Sequence, residues 1–65
     1  MRYYLCTWFV GGELCALGKN GTFILFKRKR DAKAYFEDAC FDPFYDKVTL
    51  EEAKKLFGNH KYEIR

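Results

Sequence analysis

The sequence predicts a small α+β domain in which an antiparallel sheet of three to four strands packs against two short helices, in the order β-β-β-α-α-β. Two tight-turn signals, Gly11-Gly12 and Asn20-Gly21, divide the first part of the chain into three strand-like segments. Apolar residues then recur at helical spacing over 31–40 and 50–57. With 65 residues, the chain is expected to form a single domain, residues 1–65.

The predicted three-stranded ribbon is apolar on both faces. Its strands are predicted over 2–10, 13–19 and 22–28, with the second strand in the centre. Two-residue turns fix the register, which places Trp8 beside Cys15 and Phe26 on one face. On the other face the same register places Phe9 beside Leu14. Because a half-solvated sheet is normally polar on its outer face, this pattern indicates either a covering element or a partner.

The first predicted helix spans 31–40, with Asp31 as its N-cap. A loop is predicted over 41–46, because Pro43 blocks helix continuation and biases Asp42 towards an extended backbone.

The sequence Thr49-Leu50-Glu51-Glu52 matches a capping box and predicts a second helix from Leu50 to Phe57, which stops at Gly58 or Asn59. Alternating residues over 60–65 predict a fourth strand at an edge of the sheet. We expect both helices to cover one face of the sheet and to leave the other face free. In the alternative arrangement, the loop lets one helix cross to the second face.

Composition and cysteine usage narrow the class of protein. The chain is 49% hydrophobic and 20% aromatic, which excludes a disordered segment, and its net charge of +3 is well short of a dedicated nucleic-acid coat. Cys6, Cys15 and Cys40 are odd in number and contain no C-x-x-C pair, so free buried thiols in a reducing compartment are expected. The start of the chain lacks a signal-type apolar region, and no apolar run approaches 18 residues. A cytoplasmic protein without a membrane partner is therefore expected.

No pattern in the sequence predicts catalysis. His60 is the single histidine, and no cysteine or carboxylate is tied to it by spacing. A zinc site needs paired Cys or His ligands, which the sequence does not provide. We therefore expect a protein that is not an enzyme and that has no cofactor, no metal and no small-molecule substrate.

The most concentrated charge feature is a basic corner between the third predicted strand and the first helix. It consists of Lys27, Arg28, Lys29, Arg30 and Lys33. These cations can neutralise phosphates, so nucleic-acid binding is the alternative functional hypothesis. The competing interpretation is a solvated corner, since neighbouring residues at the end of a strand point to opposite faces.

The stretch Phe26-Lys27-Arg28-Lys29-Arg30-Asp31-Ala32-Lys33-Ala34-Tyr35, which follows the ribbon, resembles the end of the arm-type DNA-binding domain of phage and transposon tyrosine integrases. The resemblance covers residues 1–40 and implies a β-β-β-α order and a sheet that lies in the major groove of DNA. The DNA-reading face of that family is polar and basic, whereas both faces are apolar here, and residues 41–65 have no counterpart. The resemblance therefore supports the order of elements more than it supports DNA binding.

The aromatic excess leads to the preferred functional hypothesis, a non-enzymatic protein-binding module. Such a module would regulate or inhibit a target protein, or form a homodimer, by burying exposed aromatic surface. In size and aromatic density the chain resembles small accessory proteins of bacteriophages and mobile elements. The predicted interface residues are Trp8, Phe26, Phe41, Phe44 and Tyr45.

Overall fold

The first two strands form the hairpin that the turn sequence predicts. β1 spans Arg2–Val10 and β2 spans Glu13–Ala16 in the computed structural model, which describes residues 1–65. The glycines of the Gly11-Gly12 turn have φ values of 61° and 87°, and a type I′ turn requires positive values at both positions. The predicted register of this hairpin is confirmed, with Trp8 opposite Cys15.

A second, shorter hairpin follows directly. β3 spans Gly18–Lys19 and β4 spans Thr22–Phe26. The Asn20-Gly21 turn between them has φ values of 54° and 75°, so the predicted tight turn is confirmed.

The junction of β2 and β3 differs from the prediction. A straight central strand over 13–19 would separate β1 from β4, yet Leu5 of β1 pairs directly with Leu25 of β4. The chain instead bends at Leu17, whose backbone N–H donates to the carbonyl of Cys6 at 2.8 Å. Because β2 pairs with β1 and β3 pairs with β4, the sheet forks into two arms, a β1–β2 arm and a β3–β4 arm.

Gly18 permits the bend at the fork. A Cβ atom at this position would lie 2.3 Å from the carbonyl oxygen of Thr22 and 3.1 Å from the Cα atom of Phe23. Both neighbours are backbone atoms, which cannot rotate away as a side chain can. The close approach of β3 to β4 therefore requires glycine.

The predicted loop over 41–46 is wrong, because its second half belongs to a further strand. β5 spans Phe44–Thr49 and pairs antiparallel with residues 2–7 of β1. Pro43 immediately precedes β5, a position at which the missing N–H of proline removes no hydrogen bond from the sheet. The pairing with β1 bridges about 40 residues of sequence and has no local signal.

The last strand confirms the predicted C-terminal edge strand. β6 spans Lys61–Ile64 and pairs with β4 in parallel, while every other pair in the six-stranded sheet is antiparallel. Together with the two helices, the sheet confirms the α+β class.

The first helix is shorter than predicted and starts earlier. α1 spans Lys29–Tyr35, and its N-cap is Arg28 without a side-chain capping bond. Asp31 lies in the first turn of α1, where its negative charge interacts favourably with the positive end of the helix dipole. The predicted first helix is thus present, but its predicted bounds of 31–40 and its predicted N-cap, Asp31, are wrong.

The second helix, α2, spans Leu50–Phe57 as predicted. The backbone N–H of Thr49 donates to Oε1 of Glu52 at 2.9 Å, and the N–H of Glu52 donates to Oγ1 of Thr49 at 3.2 Å. This reciprocal pair is the predicted capping box. Gly58 ends the helix at a positive φ of 62°. Neither helix of the protein has the length and apolarity needed to cross a bilayer.

The two helices lie on opposite faces of the sheet. α1 covers a core cluster that includes Cys6, Ile24 and Phe26, whereas α2 covers Leu5 and Leu25 on the other face. The expectation that both helices share one face is wrong, because β5 carries the chain along the sheet edge between them. Both apolar faces of the ribbon are thus covered at the centre of the sheet.

Candidate functional site

A cluster of aromatic side chains lies at the end of the β1–β2 arm. The ring of Trp8 stacks on Phe41 with 5.1 Å between centroids and lies 5.3 Å from the ring of Phe44. Phe9 meets Phe44 edge to face at 6.0 Å. We call these four residues the aromatic patch. They join a strand, a loop and the start of β5 into one continuous apolar surface.

The aromatic patch is exposed because β5 stops short of the end of β1. β5 begins at Phe44, opposite Thr7, so β1 continues for three residues without a strand on that side. The side chains of Phe9 and Phe44 remain 53% and 44% exposed. Five of the nine exposed large hydrophobic residues lie at this end of the molecule: Phe9, Val10, Leu14, Phe41 and Phe44. A concentration of this kind is typical of an interaction surface.

An open groove of about 650 Å³ adjoins the aromatic patch. Phe41 and Phe44 belong to both the patch and the groove lining. Lys29 and Lys33, one helical turn apart on α1, line the same groove. Its volume is in the range of ligand pockets and is sufficient for side chains of a partner.

Carboxylates surround the aromatic patch and the groove. Glu13 lies opposite Val10 at the hairpin end, and Asp42 follows Phe41 in the loop. Asp46 accepts a hydrogen bond from Oγ1 of Thr7 at 2.8 Å. We call Glu13, Asp42 and Asp46 the acidic rim, and none of the three forms an ion pair within 4.0 Å.

Two of the predicted interface residues lie outside the aromatic patch. Phe26 is only 1% exposed and belongs to the core beneath α1, so its predicted place on an interface is wrong. Tyr45 is half-buried opposite Cys6, and burial, reinforced by the charges of Cys6 and Asp42, raises the pKa of its phenol. The other three come together in the patch: Trp8, Phe41 and Phe44.

The predicted interface omits Phe9 and its neighbour Leu14, which are opposite each other in the hairpin. Their position beside the Gly11-Gly12 turn, at the far end of the ribbon, is the sequence feature that indicates their exposure. A helix of eight residues is only about 12 Å long and cannot cover the whole length of a nine-residue strand.

The five residues of the predicted basic corner are all exposed. Lys29 and Lys33 line the groove beside the aromatic patch. Lys27 lies beside the end of the chain instead, since its backbone N–H donates to the carbonyl of Arg65 at 2.8 Å. Arg28 is the N-cap of α1, and Arg30 follows in its first turn.

The three cysteines differ in their surroundings, and all three are free thiols. Cys6 is fully buried, and burial raises its pKa to about 11. Cys15 is half-buried. Cys40 is exposed, so its predicted burial is wrong, because α1 ends five residues before it.

Residue types that bind metal ions or carry out acid–base catalysis are dispersed in the structure. No group of three or more His, Cys, Asp or Glu side chains is close enough together to hold a metal ion. The His60 ring packs edge-on against Phe23 with 5.5 Å between ring centroids.

Comparison with known proteins finds no matching family model, no matching curated protein and no matching solved structure. The functional argument therefore depends on the surfaces of this chain alone.

Proposed function

We propose that this protein is a non-enzymatic binding module that regulates or inhibits another protein by docking the aromatic patch on it. The observation that supports this proposal is the continuous contact from Phe41 through Trp8 and Phe44 to Phe9 on the protein surface. Aromatic residues are enriched in protein interfaces, and large rigid side chains there account for most of the binding energy.

The acidic rim favours a partner with cations around an apolar surface. Glu13, Asp42 and Asp46 have no intramolecular ion-pair partner, so a basic partner would complement them. A symmetric contact between two copies would bring the same three carboxylates to both sides of one interface. Like charges at an interface are unfavourable, and Lys29 and Lys33 in the adjoining groove offset only part of this repulsion, so we favour a different protein as the partner over a second copy.

The groove extends the proposed interface towards α1. An apolar side chain of the partner can lie against Phe41 and Phe44, while Lys29 and Lys33 offer cations to a partner carboxylate on the opposite wall. Apolar contacts at the centre and charged residues at the edge are the usual anatomy of a protein interface.

Selection from a random displayed peptide library tests this proposal directly. Wild-type protein is expected to enrich peptides that combine aromatic or aliphatic residues with Lys or Arg. Phe44→Ser is expected to weaken binding of the selected peptides by about tenfold or more, which is the scale of an interface hot spot. The matched control is Leu56→Ser, because Leu56 is similarly exposed, at 51%, but lies on α2. Absence of enrichment, or equal binding by Phe44→Ser, would contradict the proposal.

Sedimentation equilibrium distinguishes a separate partner from a second copy. We expect wild-type protein to be a monomer at micromolar concentration. A wild-type dimer that Phe44→Ser converts to monomer would show that the aromatic patch binds itself, and the proposed partner would then be wrong.

A further inference from the structure

Cations from distant parts of the chain meet on the face of the sheet that carries α1. Lys19 of β3 and Lys61 of β6 both pair with Thr22 of β4, from opposite sides. Residues at paired positions project from the same face of a sheet, and two strand spacings separate their Cα atoms by about 10 Å.

Arg65 extends this set of cations along β6. It follows Lys61 by four residues, so its side chain alternates to the same face at a distance of about 13 Å along the strand. The backbone of Arg65 is held in place, since its N–H donates to Leu25 and its carbonyl accepts from Lys27, both at 2.8 Å. We call Lys19, Lys61 and Arg65 the basic strip.

Two members of the basic strip contact the ring of Tyr35 at the end of α1. Nζ of Lys19 lies 4.6 Å from the centroid of the Tyr35 ring, and the guanidinium carbon of Arg65 lies 5.0 Å from it. The negative face of an aromatic ring attracts cations, which offsets part of their mutual repulsion. An anion placed over the strip would reduce the remaining repulsion further.

Two carboxylates lie close to the basic strip. Glu63 pairs with Arg65 at 2.9 Å on the exposed surface. Asp38 lines a small hollow of about 270 Å³ that Lys19 and Tyr35 also line, but it forms no ion pair. Neither Lys19 nor Lys61 forms an ion pair within 4.0 Å.

We propose that the basic strip binds the phosphate backbone of a nucleic acid. The Cα atoms of its three cations span about 10 by 13 Å, so that their side chains can reach more than one phosphate group along a backbone. The strip and the aromatic patch share no residue, but they are neighbours, because Phe41 of the patch lines the small hollow that Lys19 and Tyr35 also line.

An anionic membrane is a less suitable ligand than a nucleic acid. Membrane-surface segments combine cations with apolar side chains that enter the lipid. The exposed apolar residues of β6, Tyr62 and Ile64, alternate with the strip cations and therefore project from the opposite face. The strip face of β6 carries charged residues only, with Glu63 between Lys61 and Arg65, and its one apolar neighbour on α1 is the half-buried Tyr35.

Fluorescence anisotropy with a labelled DNA duplex and a labelled single strand tests the proposal. Binding is expected at about 50 mM salt, with a slope of about −3 in a plot of log affinity against log salt concentration. The double variant Lys19→Gln/Lys61→Gln should lose about tenfold in affinity and should reduce the slope by about 2. The matched control is Lys54→Gln/Lys55→Gln, which removes the same charge from α2 on the other face.

Three results would overturn the proposal. One is no binding of either nucleic acid at about 50 mM salt, where phosphate contacts are strong. Another is equal loss of affinity in the two double variants, which would show a dependence on net charge alone. The third is binding to phosphatidylserine vesicles without binding to nucleic acid. Urea unfolding midpoints, measured for both variants, establish that each retains the wild-type fold.

Discussion

The two arms of the sheet carry surfaces of opposite chemistry. The β1–β2 arm ends in the aromatic patch and the acidic rim, whereas the β3–β4 arm, with β6 beside it, carries the basic strip. The chain passes from one arm to the other at Leu17 and Gly18. A small domain with a net charge of only +3 thus holds an aromatic surface, edged by carboxylates and two lysines, beside a strip of cations.

The largest expected effect is a difference in stability between a variant of a core aromatic residue and a variant of an aromatic residue in the patch. Phe26→Ala should lower the free energy of unfolding by about 3–5 kcal/mol, because it leaves a cavity beneath α1. Phe44→Ala, at a site 44% exposed, should lower it by less than about 1 kcal/mol. Urea unfolding measures both values. Similar losses for the two variants would contradict the assignment of Phe44 to a surface and of Phe26 to the core.

The next effect concerns the fork itself. Gly18→Ala should cost about 2–3 kcal/mol, because the new methyl group meets the Thr22 carbonyl at 2.3 Å. The matched control is Gly12→Ala, where a Cβ meets no neighbour and only the positive φ of 87° is unfavourable, at about 1–2 kcal/mol. Chemical denaturation of both variants checks the order. A Gly18→Ala protein as stable as wild type would show that the arms do not need this close approach.

A smaller effect is expected in α2, away from both surfaces. Thr49→Ala removes the N-cap hydroxyl and should destabilise the protein by about 1 kcal/mol. Binding of peptides by the aromatic patch and of DNA by the basic strip should be unchanged once folding is complete. A loss of either binding activity in the folded variant would show that α2 contributes to that surface.

The capping box also predicts a pH dependence. Hydrogen bonds from Thr49 lower the pKa of Glu52 below its usual 4.5. A lowered pKa in the folded state stabilises the protein above pH 4.5, and this stabilisation disappears as the pH falls through the lowered value. Unfolding midpoints of wild type and Glu52→Gln, measured between neutral and acidic pH, should therefore converge at the acidic end. A difference in unfolding midpoint that stays constant over this pH range would contradict the role of the Glu52 carboxylate in the capping box.

The smallest structural change is modification of Cys40, the residue before Phe41. A bulky maleimide should react at Cys40 first, since Cys40 is exposed, and at Cys6 only on unfolding, since Cys6 is buried with a pKa of about 11. The label should obstruct peptide binding at the aromatic patch and weaken DNA binding less, since Lys61 and Arg65 do not line the hollow beside Phe41. Mass spectrometry identifies the modified thiol. A larger loss of DNA binding than of peptide binding after labelling would contradict the assignment of the two surfaces.

The local features of the fold could be predicted from the sequence. Turn residues and the capping box have short-range causes, so the β1–β2 register, α2 and the last strand follow from neighbouring residues. The direct pairing of Leu5 with Leu25 and the pairing of β5 with β1 are choices between distant segments. They depend on the whole fold, as does the position of the two helices on opposite faces.

The two surfaces also differ in how far the sequence alone predicts them. Aromatic residue type selected Trp8, Phe41 and Phe44, which come together in the patch, but it also selected the buried Phe26 and missed Phe9. The basic strip could not be predicted, since Lys19 and Lys61 are 42 positions apart and meet only through the parallel pairing of β6 with β4. The continuous basic run at 27–30 was the stronger sequence signal, and of its four residues Lys29 lines the groove beside the aromatic patch.

The separation of the two surfaces is tested most directly by nuclear magnetic resonance of the ¹⁵N-labelled protein during titration with a short DNA duplex. The amide signals of Lys19, Lys61 and Arg65 are expected to shift with added DNA, while those of Trp8 and Phe44 remain in place. Shifts at Trp8 and Phe44, or shifts spread evenly over the chain, would contradict two separate binding surfaces on one forked sheet.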